Sequence, residues 1–133
     1  MFSHLTVGSD NIPRAARFYD SVLKPLGIVR TKTFKVAAAY APEGFSGVNE
    51  PFWILRPYDK KAASAGNGVT VAFETKSRAA VDAFHAAAMA AGAADEGPPG
   101  LRLHYHPDYY AAYVRDLDGN KICAVCHAPA AQA

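Results

Sequence analysis

His4-Leu5-Thr6-Val7, a polar turn, then Arg17-Phe18-Tyr19 in a helix ending at Gly27 form the first half of a repeat. The second half is Thr70-Val71-Ala72-Phe73, a polar turn, then Ala83-Phe84-His85 in a helix ending at Gly92. Phe18 and Phe84 fall 66 positions apart, as do His4 and Thr70. A strand–helix unit that occurs twice in 133 residues predicts two copies of one module, which must pack together to close a core. The repeat also makes His4 and Thr70 equivalent positions. One is a good metal ligand and the other a poor one.

Outward from the repeat, residues 2–7 alternate around His4 and Thr6 and predict a strand. Ser9-Asp10-Asn11 offers helix N-caps, and Pro13 suits a first helical turn. Ile12, Ala15, Tyr19, Val22 and Leu26 recur at helical spacing. Residues 28–40 predict two short strands, residues 41–51 a loop, and Phe52-Trp53-Ile54-Leu55 a buried strand. In the second half, residues 69–75 predict a strand, and Ser77 caps a helix running to Ala91. Gly97-Pro98-Pro99-Gly100 predicts a loop, followed by a hairpin of residues 101–105 and 109–115 about Pro107-Asp108. Residues 116–120 predict a tight turn into a last strand at 121–127.

Each half therefore reads β-α-β-β-β. The whole chain, 1–133, is one domain, with module 1 at about 1–58, a linker at about 59–68 and module 2 at about 69–127. Such half-open sheets side by side leave a concave surface that serves as a pocket. A net charge of +2 without clustered Lys or Arg argues against nucleic acid. No apolar run reaches the roughly 18 residues of a membrane span. The strand pattern begins at once, with no signal-like segment, so a cytoplasmic protein with reduced Cys123 and Cys126 is expected.

The chain resembles the glyoxalase / bleomycin resistance protein / extradiol dioxygenase (vicinal oxygen chelate) superfamily. The carriers are His4, Arg17-Phe18-Tyr19 with Val22 to Gly27, Val71-Ala72-Phe73, and Asp116-Leu117-Asp118-Gly119-Asn120-Lys121-Ile122. The resemblance implies an α+β fold of two βαβββ modules side by side, forming a half-open, β-barrel-like cleft. It also implies a homodimer. In metal-dependent members four strand positions hold a divalent ion with His and Glu. Here those positions are His4, Trp53, Thr70 and Cys123. Trp53 cannot coordinate, Thr70 is a weak ligand, and Cys123 replaces a carboxylate. A catalytic zinc site needs about three protein ligands, and a non-haem iron oxygenase two His and one carboxylate.

The leading expectation is thus a cavity lined by His4, Trp53, Thr70, Tyr105 and Cys123 that binds a small organic molecule without the standard metal or any other cofactor. His4 is the candidate catalytic acid or base, since an imidazole ordinarily titrates near neutrality. One alternative is a lyase, isomerase or dioxygenase using Zn, Ni, Fe or Mn on a nonstandard set that includes His4 and Cys123, completed by His104, His106 or His127. Another is a protein that sequesters a drug or metabolite without turnover. Cys123 reads either as a small buried strand residue or as a cavity thiol activated by His4. Cys123-Ala-Val-Cys126-His127 matches a haem-attachment pattern, but thiols three apart on a strand diverge to opposite faces. His104 and His106 are expected on one strand face with Tyr105 on the other, and His85 on the solvent side of its helix.

Overall fold

The computed structural model describes residues 1–130. Module 1 comprises β1 (Leu5–Gly8), α1 (Ile12–Leu23), β2 (Ile28–Thr33), β3 (Ala37–Pro42) and β4 (Phe52–Leu55). Module 2 comprises β5 (Val71–Glu74), α2 (Arg78–Ala90), β6 (Ala94–Leu101), β7 (Tyr110–Arg115) and β8 (Lys121–Cys126). The strand orders are β1-β4-β3-β2 and β5-β8-β7-β6. In each sheet the first and last strands of the module pair in parallel and the others are antiparallel. This is an α+β fold of two modules side by side, and the sheets do not close into barrels. Val71 follows Leu5, and Arg78 follows Ile12, at the same 66-residue spacing seen in the sequence. No helix among the described residues is long and apolar enough to cross a membrane.

Local chemistry sets the element ends. The Asn11 side chain accepts from the Arg14 N–H at 3.1 Å, and the Ser77 hydroxyl accepts from the Ala80 N–H at 3.1 Å, each satisfying a helix donor that would otherwise lack a partner. α1 stops at Leu23, earlier than the spacing predicts. Pro25 lies in a short 3-10 turn over Lys24–Leu26, and Gly27 closes it at φ +73°. Both helices bury one stripe: Ile12, Ala15, Phe18, Tyr19, Val22 and Leu23 on α1, and Val81, Phe84 and Ala88 on α2. They pack on each other and on Phe52, Ile54, Ile122 and Ala124 in one shared core.

Three expectations fail in the second module. Gly97-Pro98-Pro99-Gly100 is not a loop but lies within β6. Proline lacks an N–H for a strand ladder, and β6 is the edge strand, with register shifts between Asp95 and Gly97 and between Gly97 and Gly100. An edge strand with bulges tolerates residues that a central strand rejects. The hairpin shifts accordingly: β6 ends at Leu101, and residues 102–109 form a loop closed by Arg102 N–H to Tyr109 O at 2.8 Å. His104 and His106 therefore share no strand face. His104 lies 4.2 Å from the Tyr105 ring, while His106 Nε2 meets His127 Nδ1 at 2.8 Å and ties the loop to the end of β8. His85 also departs from expectation, bonding Asp95 at 3.1 Å with its side chain 14% exposed.

The modules meet through side chains, because the two sheets share no strand pairing. Phe52 on β4 packs edge-to-face on Phe73 of β5, with ring centroids 5.1 Å apart. Tyr19 of α1 donates to buried Asp116 beyond β7, and Asn120 Nδ2 donates to the Gly8 carbonyl at 3.0 Å. The side chain of Asp10 accepts from the Ala63 N–H at 2.8 Å, anchoring the connecting segment to module 1.

Candidate functional site

Strand alternation gives each sheet a helix-packed face and an opposite face that is free of helices. On β8, Ile122, Ala124 and Cys126 enter the shared core, whereas Lys121, Cys123 and Val125 face away from it. Cys123 and Cys126 thus diverge, both buried and unpaired. On β4, Phe52 and Ile54 enter the core, and Trp53 and Leu55 face away.

The residues expected in one cavity separate into two groups. His4 stands just ahead of β1 rather than within it, exposed, with Nδ1 2.9 Å from Ser3 Oγ and 3.1 Å from Asn49 Nδ2. The Asn49 amide nitrogen only donates, so Nδ1 is the acceptor and the neutral ring carries its proton on Nε2. Trp53 pairs with Thr6 across the parallel ladder, stacks on Phe34 and donates from Nε1 to the Glu50 carbonyl at 2.9 Å. The Glu50 side chain is itself buried, 3.1 Å from Lys32 Nζ and 3.2 Å from Thr31 Oγ1. Thr70 precedes β5, is exposed and belongs to neither group.

The second group is built on sheet β5-β8-β7-β6. Cys123 and Tyr113 are partners across β7 and β8, and Ala111, Val125, Tyr109 and Tyr113 pack around the thiol. The Tyr109 and Tyr113 hydroxyls are 2.7 Å apart, and Tyr105 lies 4.8 Å from the Tyr109 ring. Burial, followed by the bond to Tyr109, holds the Tyr113 phenol well above its usual range. Burial also pushes the Cys123 thiol up to about 11, although Tyr113, Arg102 and Lys121 act in the opposite direction. Tyr113, but neither Tyr109 nor Cys123, also lines an open cleft of about 260 Å³ walled by Glu96, Arg102, His104, Tyr105 and Lys121. A larger depression of about 550 Å³ is bounded by Lys35, Arg56, Pro57 and Tyr58, but Tyr58 is fully exposed and fixes no wall.

The superfamily's divalent ion does not fit these residues. The Trp53 indole nitrogen is a donor with no free lone pair and is already bonded. Cys123 is fully buried and packed by Ala111, Val125, Tyr109 and Tyr113, none of which supplies the imidazole or carboxylate that a divalent ion would need beside it. Among the described residues, no three His, Cys, Asp or Glu side chains converge on a point. A thiol near 11 carries roughly a hundredth of the thiolate of an ordinary cysteine at the same pH. Iodoacetamide at pH 8 should therefore label native Cys123 at least ~100-fold more slowly than the urea-unfolded chain. Mass-mapped labelling that proceeds at equal rates in both states would contradict this account.

Sequence reasoning missed Arg102, Tyr113 and Lys121. For Tyr113 and Lys121 a signal was present, since two-residue periodicity places them on the Cys123 face once β7 and β8 are aligned. Arg102 had none, because its position depends on the irregular β6 edge.

The description Glyoxalase/Bleomycin resistance protein/Dioxygenase superfamily matches residues 1–124, and the chain belongs to this superfamily. It is similar to the crystal structure of a glyoxalase/bleomycin resistance protein from Albidiferax ferrireducens, at 39% identity and TM-score 0.83, covering 97% of this chain and 99% of that one. A glyoxalase-related enzyme from Fulvimarina pelagi shares the fold at 18% identity and TM-score 0.71, covering 95% of this chain and 87% of that one. A glyoxalase/bleomycin resistance protein/dioxygenase family enzyme from Burkholderia phytofirmans does so at 17% identity and TM-score 0.69, covering 95% and 98%. No curated protein matches.

Proposed function

We propose that this protein binds a small organic molecule over the helix-free face of sheet β5-β8-β7-β6, without the divalent ion used by metal-dependent relatives. The supporting observation is the 260 Å³ cleft lined by Tyr105 and Tyr113, with Tyr113 held in place by Tyr109 and packed over Cys123. Tyrosines combine apolar ring area with a polar tip, and here two tyrosine rings stand among charged and polar side chains that can fix a ligand's orientation. The two unpaired cysteines fit a cytoplasmic setting, and the resemblance favours a homodimer. His4, the acid–base candidate expected from the sequence, stands against Ser3 and Asn49 ahead of β1 and does not line this cleft, so this reading gives it no role at the bound molecule.

A thermal-shift screen of small organic compounds, with and without EDTA, tests the proposal. Hits should raise Tm by several degrees at saturation, independently of EDTA, and Tyr113→Ala should abolish the shift. Stoichiometric metal by elemental analysis, lost in both His4→Ala and Cys123→Ala, would sink it. Among hits, turnover that disappears in Tyr113→Ala assigns catalysis to this cleft. Tight binding without turnover assigns sequestration.

A further inference from the structure

Gly97-Pro98-Pro99-Gly100 and Arg102 form a single device. The Arg102 guanidinium folds back on the bulged edge strand, donating from Nη1 to Gly100 O at 2.8 Å and from Nη2 to Pro98 O at 2.9 Å. A Cβ on Gly97, whose φ is +155°, would stand 2.8 Å from Nη2, and one on Gly100 3.4 Å from Nη1. The segment leaves room for the guanidinium and orients it. An arginine has five N–H donors, so the two bonds to the strand leave three for another partner.

Arg102 is thereby set 5.5 Å from the centroid of the Tyr113 ring, and Lys121 Nζ lies 5.4 Å from the same centroid. Two cations on one ring attract its π-face but repel each other. Among the described residues neither forms an ion pair. The carboxylate in the same wall, Glu96, is held by Arg115 at 3.0 Å. The cavity therefore carries two positive charges that no described side chain neutralises.

We propose that Arg102 and Lys121 clamp the oxyanion of a small planar carboxylate against Tyr113, with the Gly97–Gly100 segment as the cradle that presets Arg102. This rests on the pocket reading above and names the class of ligand. A planar guanidinium fork matches a carboxylate, and Lys121 adds a point charge in the same wall. The tyrosine rings suit a flat ligand body. The 260 Å³ volume lies below the roughly 300–1,000 Å³ of pockets for drug-sized ligands, which favours a compact one.

The test is a protein-observed NMR titration with benzoate, benzyl alcohol and inorganic phosphate, reading the amides of Tyr113, Lys121 and Cys123. Benzoate should saturate these shifts at least ~10-fold more tightly than benzyl alcohol and weaken as salt rises. Arg102→Gln and Lys121→Gln should each weaken benzoate at least ~5-fold, while exposed Lys61→Gln leaves it unchanged. Gly97→Ala removes no charge, and its benzoate affinity should fall as in Arg102→Gln with that for benzyl alcohol retained. Equal affinity for benzoate and benzyl alcohol, or full benzoate affinity in both charge variants, overturns the clamp and leaves the pocket standing. Phosphate binding as tightly as benzoate overturns the carboxylate assignment. Binding of none of the three probes removes both the clamp and the pocket beneath it.

Discussion

Asp116→Ala should cost about 3–5 kcal/mol, because several buried donors lose one charged acceptor at roughly 1–3 kcal/mol each. Asp116 is 6% exposed and accepts four hydrogen bonds. Its Oδ1 receives the Asp118 and Asn120 backbone N–H groups at 2.9 and 2.8 Å, which shapes the turn between β7 and β8. Its Oδ2 receives Asn120 Nδ2 and the Tyr19 hydroxyl, and Tyr19 is fully buried in α1. Alanine would leave that hydroxyl without a partner and free Asn120, whose amide also holds the Gly8 carbonyl. The loss therefore falls on the turn and on the contact between modules together. Tyr19→Phe leaves the aspartate three donors and should cost only about 1–2 kcal/mol. Urea denaturation separates the two variants. A cost under 1 kcal/mol for Asp116→Ala, or no gap between the variants, would show that the network is not a fastening point.

Phe52→Ala should be comparably damaging, at about 3–5 kcal/mol, the range for large-to-small aromatic core changes. Phe52 is 3% exposed, with its ring 5.2 Å from Tyr19, 6.2 Å from Tyr40 and 5.1 Å from Phe73. The first two contacts hold module 1 together, and the third crosses to module 2. Since no ladder joins the sheets, the crossing contact should appear as a coupling of about 0.5–1.5 kcal/mol in a double-mutant cycle with Phe73→Ala. Strictly additive costs would mean that the two rings are adjacent without stabilising the pair.

Much of the fold was legible because it rests on local chemistry. The 66-residue repeat survives as the starts of β1 and β5 and of α1 and α2. Asn11 and Ser77 cap their helices, and the aspartates of residues 116–120 make their turn as side-chain hydrogen bonding dictates. Reading Gly97-Pro98-Pro99-Gly100 as a loop failed because glycine and proline report what a segment cannot do in a central strand. They do not say whether that segment lies at an edge. That error carried His104 and His106 into a strand they do not occupy.

At the site, residue chemistry was readable but convergence was not. Sequence by itself determined the superfamily architecture, the unsuitability of Trp53 and Thr70 as metal ligands, and the divergence of Cys123 from Cys126. These follow from residue type and from the fixed periods of helix and strand, which need no knowledge of neighbours. Only the tertiary structure decided that Cys123 lies under Tyr109 and Tyr113 and apart from the His4 group. It alone placed Arg102 and Lys121 within 5.5 Å of the centre of one ring. Those relations depend on pairing register and on the bulges of β6, where a shift of one residue turns a side chain to the opposite face.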